Sequence, residues 1–257
     1  MESIADTGRD VGIRSNSECG LLVAVLACAL VSSLAPTVAA AESVTDGLIS
    51  NREDGCIVVA GAIVVDRVAR SVTVPARVNQ LRGTVEYVLV HTSGKRHEAL
   101  FTTTVRPQHV HLACLLVGAP ETDTPTPAGA TVTAAVSIAV VWQGHGPAVQ
   151  RAAESLLLPA THDGEPLVNA VMTAPDWRYV GSQFINDRFA AEVNGSCIAL
   201  QADATALMSA PGLLASEFIP AASRLSPIGT PVSIVLTFRD AEPAVVQPIA
   251  NSNPRKP

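Results

Sequence analysis

The polar group most worth weighing for metal ligation or proton transfer is Glu86, Lys95, His97, Glu98, His109 and His111. Imidazole nitrogens with a carboxylate are a ligand set for zinc or non-haem iron, and three of them leave a coordination position open for water or substrate. Geometry decides which of them can meet. Neighbours on a strand point to opposite faces, so His97 and Glu98 diverge if both lie on one. Two helix positions two residues apart differ by roughly 200°, so only one of His109 and His111 can join the others. His109, nearer the helix start, is the better placed. The metal reading therefore takes His97, His109 and Glu98 or Glu86, with zinc or iron as cofactor. The competing reading is a polar network in which Glu98 or Glu86 accepts hydrogen bonds from a histidine and from amides at the helix start, fixing how that helix docks. No H-E-x-x-H or similar ligand motif accompanies the cluster, and the network is favoured.

Lys95 stands out by rarity. The chain has fifteen Arg and two Lys, and the other lysine is Lys256 near the C-terminus. An ammonium beside a turn glycine is a candidate contact for an anionic group, although an exposed turn lysine ordinarily does nothing special. Trp177 and Tyr179 form a candidate stacking surface for a ligand or partner, or else lie beneath the helix. His91, His145 and His162 fall at turns or strand ends and read as solvated. Ser155, Ser182 and Ser196 lack the G-x-S-x-G elbow, and Gly61 and Gly83 are too isolated to form a phosphate loop. No catalytic residue is assigned.

These groups must be positioned by a chain that is 48% apolar and 16% charged, well inside the globular range. A pI near 5.5 and a net charge of −6 argue against nucleic acid as a partner. Residues 56–104 read as extended structure: a strand from Cys56 to Val65, a break at Asp66–Arg70, a strand at Ser71–Val74 ended by Pro75, and a hairpin at 84–104 turning at Thr92-Ser93-Gly94-Lys95. A one-residue slip in that hairpin would exchange the faces of His97 and Glu98. Pro107 and Gly118 bracket a helix with Val110, Ala113, Cys114 and Val117 on one stripe. A Pro/Thr loop at 119–130 leads to a long strand at 131–143.

Asn194-Gly195 is a strong short signal for a type I′ hairpin turn, and Asn186-Asp187 makes a second turn before it. Together they predict a three-stranded meander pairing Phe184 with Phe189 and Ala191 with Ile198. Its core face would carry Val180, Phe184, Phe189, Ala191, Val193, Ile198 and Leu200. Its outer face would carry Trp177, Tyr179, Gln183, Glu192 and Cys197. Asp203 opens a short helix through Met208, and Pro231–Phe238 is the closing strand. The expectation is one α+β domain at 42–239 with a mainly antiparallel sheet of about nine or ten strands, two or three short helices, and a disordered Pro-rich tail at 240–257.

Ahead of this body, Gly20–Ala41 is an apolar run ending in an A-x-A pattern at Ala39 and Ala41. Residues 1–41 read as a secretory signal peptide, or as an anchor if left in place; Cys28 also sits in a lipobox-like setting. Without them the chain holds fifteen basic and nineteen acidic residues. The three later cysteines allow at most one disulfide, of which Cys56–Cys197 is the best pair, and Cys114 reads as a buried small hydrophobe.

The stretches VEYVLVHTSGKRHEALFTTTVRPQHVHLACLLVGA (85–119), WRYVGSQFINDRFAAEVNGSCIALQADATALM (177–208) and SPIGTPVSIVLTF (226–238) resemble the YdjY-like domain family. VVDRVARSVTVPARVNQLRGTVEY (64–87) adds to the match, which spans most of residues 60–238. The resemblance implies a bacterial protein, secreted or lipid-anchored, of a kind found in many planctomycetes. It implies little about activity; some relatives carry an iron–sulfur label, which no cysteine cluster here supports. The functional expectation is a non-catalytic extracytoplasmic module binding an envelope component or a small ligand, with membrane contact only through an uncleaved N-terminal segment. The alternative is the metal-binding protein or enzyme described above.

Overall fold

The computed structural model describes residues 47–120, 133–144, 146–161, 166–167, 175–210 and 217–239. The leader, the C-terminal tail, His145, His162 and most of the Pro/Thr loop lie outside the described residues.

Four strands open the fold, β1 (Ile49–Asn51), β2 (Ile57–Val59), β3 (Ile63–Asp66) and β4 (Ser71–Val78), paired antiparallel in chain order. The Cys56–Val65 run is split because Ala60 and Gly61 take positive φ and reverse the chain. Asp66 then accepts hydrogen bonds from the amides of Val68 and Ala69, which makes the expected break. Next come β5 (Tyr87–His91), β6 (Ala99–Thr103) and helix α1 (Pro107–Leu116). β7 (Ala134–Gln143) and β8 (Ala148–Ala152) form a hairpin, and β9 (Leu157–Ala160) follows. β10 (Arg178–Tyr179), β11 (Phe184–Ile185) and β12 (Arg188–Phe189) lead into helix α2 (Ala190–Asn194). The chain ends in β13 (Ser196–Ala199), β14 (Met208–Ser209), β15 (Glu217–Pro220) and β16 (Pro231–Phe238).

Eight strands close into a barrel in the order β4, β16, β7, β10, β14, β13, β5, β6 and back to β4. Alternation drives closure: Val72, Val74, Ala76 and Val78 of β4 and Val232, Ile234, Leu236 and Phe238 of β16 all face the core. β16 has the predicted bounds and lies centrally, paired along its length with β4 and β7. α1 packs against β2, β3, β4 and β13 through Val110, Ala113 and Cys114. As expected, Pro107 starts it, and Gly118 beyond its end has φ +84°.

The molecule is mostly β with two α-helices among the described residues, but its sheet is mixed rather than simply antiparallel. β5 and β6 run parallel, Tyr87 beside Ala99 and His91 beside Thr103, so the expected hairpin at 84–104 is not formed. The turn itself is present, with Gly94 donating to the His91 carbonyl. Afterwards a 3-10 turn at Arg96–Glu98 carries the chain back beside the start of β5. Two contacts impose this direction. β6 pairs antiparallel with β4, and the Asn79 side-chain amide holds the Arg96 and Ala99 carbonyls. β13 occupies the other edge of β5.

The three-stranded meander is also corrected. Phe184 does pair with Phe189 across the Asn186-Asp187 turn. Asn194-Gly195 instead ends α2, with Gly195 as its left-handed cap at φ +69°. A glycine at positive φ serves a hairpin or a helix end equally well, and Ala190, Ala191 and Glu192 before it favour a helix. Ala191, Ile198 and Leu200 are buried as expected, whereas Phe184 is 62% exposed and Val193 is also exposed. Of the face expected outward, Gln183 is exposed, but Trp177 is 3% and Tyr179 0% exposed and Cys197 is buried, because β10 and β13 are barrel staves. The helix expected at 203–208 is a turn, closed by Asp203 accepting from the Thr205 amide and hydroxyl.

Candidate functional site

A cavity of about 360 Å³ opens beside Lys95. β5 supplies Tyr87, the loop between the parallel strands supplies Lys95, and the turn before β14 supplies Asp203. Lys95 Nζ donates to the Tyr87 hydroxyl at 3.2 Å, and that hydroxyl donates to Asp203 Oδ2 at 3.2 Å. The ammonium also lies 5.2 Å from the centroid of the Tyr87 ring. Glu86, Ser196, Gln201 and Thr205 complete the polar wall. Burial raises the Tyr87 phenol above its ordinary value. The hydrogen bond with Tyr87 raises Lys95, whose side chain is half exposed. Both stay protonated through the neutral range, so the cavity presents fixed donors facing two carboxylates.

The loop carrying Lys95 is held by backbone contact rather than by side chains. A Cβ on Gly94 would lie 2.8 Å from the Asn194 carbonyl oxygen, and one on Gly195 would lie 2.7 Å from the Gly94 Cα. The Gly195 carbonyl accepts from the His91 amide at 2.8 Å. Two glycines are therefore needed where this loop crosses the end of α2.

The metal candidates are not brought together. His97 is on the 3-10 turn, not a strand, and its side chain is 77% exposed. Its Nε2 meets Glu98 Oε1 at 3.0 Å, since adjacent residues on a turn are free to face one another. Glu98 Oε2 lies 3.7 Å from Lys95 Nζ and has no hydrogen-bond partner. His109 follows the far end of β6, whose five residues span roughly 15 Å or more. Burial, then the nearby Arg106 guanidinium, push its imidazole below the usual histidine range. Among the described residues no three His, Cys, Asp or Glu side chains gather as a metal site.

The expected carboxylate at the start of α1 exists, but it comes from neither Glu98 nor Glu86. Glu192 of α2 accepts from the Gln108 amide at 3.1 Å and from Arg106 Nε at 2.6 Å. His111, passed over above in favour of His109, shares a 2.6 Å hydrogen bond with the Tyr179 hydroxyl and stacks on its ring. Cys56, Cys114 and Cys197 are all free thiols, so the Cys56–Cys197 pair is not formed. β2 pairs outside the barrel, whereas Cys197 sits in a barrel strand with its thiol pushed up to about 12 by burial.

Tyr87 and Asp203 are the residues that sequence reasoning missed. Tyr87 is one of only two tyrosines. It is buried in β5, yet it lines the cavity and its hydroxyl meets Lys95 and Asp203 there. D-x-T at 203–205 carries the signature of an Asx turn as well as of a helix cap, and the turn prevails.

The YdjY domain family model matches residues 63–237, from the first residue of β3 almost to the end of β16. The chain belongs to the YdjY domain family. The YdjY match thus takes in the whole barrel and every wall of the Lys95 cavity. No curated protein and no solved structure matches this YdjY domain chain.

Proposed function

We propose that this YdjY domain is a non-catalytic binding module that works outside the cytoplasm. The observation that carries the binding role is the Lys95–Tyr87–Asp203 chain on the wall of the polar cavity. An ammonium, carboxylates, hydroxyls and an amide within one such volume are the groups that read a small polyhydroxylated ligand such as a sugar. Two carboxylates against one ammonium make a lone anion a poor fit. The raised Tyr87 and Lys95 favour fixed hydrogen bonding over proton transfer, which is best served by a group poised near the working pH. Signal-like residues 1–41 support location outside the cytoplasm, and membrane contact goes through that segment if it is retained.

The test is calorimetric titration of the full-length protein with glucose, galactose, N-acetylglucosamine and maltose. At least one should bind saturably, and Lys95→Met and Asp203→Asn should each weaken it roughly tenfold or more. No saturable heat from any of the four, or chemical conversion of a bound sugar, rejects the reading. Recovery of an extracytoplasmic form whose N-terminus is Glu42 is the expected result for location; a chain retained whole in the cytoplasm rejects that part.

A further inference from the structure

A second cavity, of about 460 Å³, lies on the barrel wall where β4 and β6 meet, with β7 and β16 beside them. Its chemistry is the reverse of that at Lys95. No Asp or Glu lines it, and its one charged group is Arg77. Arg77 Nη1 donates to the Gly229 carbonyl at 2.9 Å, and the remaining guanidinium N–H groups have no protein acceptor among the described residues. Thr92, Thr102, Thr104 and Ser233 also face this space, and their hydroxyls make no hydrogen bond within the described protein. Thr102 is only 9% exposed, and what remains accessible of it opens onto the groove. Pro75, Val141 and Trp142 supply an apolar floor.

We infer that this groove binds a carboxylate borne on an apolar body, with Arg77 as the anion contact and Trp142 beside the body. A guanidinium with free N–H groups, flanked by hydroxyl donors and not opposed by any acid, matches the two oxygens of a carboxylate. Such a group occurs on free organic acids and at peptide C-termini. The site is separate from the Lys95 cavity and does not rest on the sugar reading.

Trp142 and Trp177 are the only tryptophans in the chain, and only Trp142 lines the groove, so a fluorescence change on filling it reports on Trp142. The full-length protein is titrated with 3-phenylpropanoate, with N-acetyl-alanyl-phenylalanine, and with the amide of each. Saturable change with either acid is expected, roughly tenfold or more weaker for its amide. Arg77→Gln should weaken it by roughly the same factor. Arg77→Lys, which keeps charge but loses the planar fork, should fall between and serves if Arg77→Gln does not fold. Lys95→Met should leave it unchanged, which separates this groove from the sugar site. Response to the free acid alone assigns the source as small organic acids; tighter peptide binding assigns it as chain termini. No saturable response, equal response to acid and amide, or indifference to Arg77 overturns the inference.

Discussion

Glu192 joins two helices through one carboxylate, and what that carboxylate is worth can be measured. Arg106 is about half exposed, so its ion pair contributes little, whereas the Gln108 amide at the start of α1 has no partner in its own helix. Glu192→Gln should therefore cost about 1 kcal/mol in denaturant melts, and Arg106→Gln should cost less. His109 sets a pH dependence. Its imidazole is depressed in the folded chain, so the unfolded chain binds more protons around and below the ordinary histidine value of 6.5. Stability is complete above that value and declines as pH falls through the window beneath it; His109→Gln should flatten the slope there. An unchanged slope would place the titrating group elsewhere. Tyr179→Phe removes a buried hydroxyl but leaves the His111 ring with some access to water, so a loss of about 1 kcal/mol is expected.

At the scale of elements, the contact of Gly94 with Gly195 decides where Lys95 stands. Gly94→Ala would press a methyl against the backbone of Asn194 and Gly195, with no flexible side chain to yield. A loss of about 1–3 kcal/mol is expected, together with weakened sugar binding. A fold and affinity like those of the parent would show that the crossing is looser than it looks. The same elements explain what could be read from sequence. α1 and β16 were legible because each carries its own period and its own boundary residues, as with Pro107 and Gly118 around α1, whereas β4 runs on past Pro75 to Val78. The direction of β6 was not, because Thr92-Ser93-Gly94-Lys95 makes the same local turn whether the next strand runs back or is carried past by another turn. Only the distant partners β4 and Asn79 settle it. Likewise, Lys95 could be singled out by its rarity, but its partners Tyr87 and Asp203 lie far apart in sequence and meet only through the barrel.

For the molecule as a whole, β16 is the last regular element of the described chain and the strand between β4 and β7, so the barrel cannot close before the C-terminal strand arrives. Ile234, fully buried in that strand, tests the dependence: Ile234→Ala should cost about 2–5 kcal/mol in one cooperative transition. A biphasic melt would indicate that the β1–β4 meander is stable without the remainder. Folding on the slow millisecond-to-second side is expected of so many non-local pairings.

The barrel is closed between β4 and β6 by only two residue pairs, Arg77 with Thr102 and Val78 with Phe101. Arg77 and Thr102 also line the groove assigned to a carboxylate. A short joint in the wall and the groove are thus one place, and an occupant would act as a rivet across it. Amide exchange around this joint should then slow when the groove is filled, so that occupancy is felt as stiffness by strands the ligand never touches.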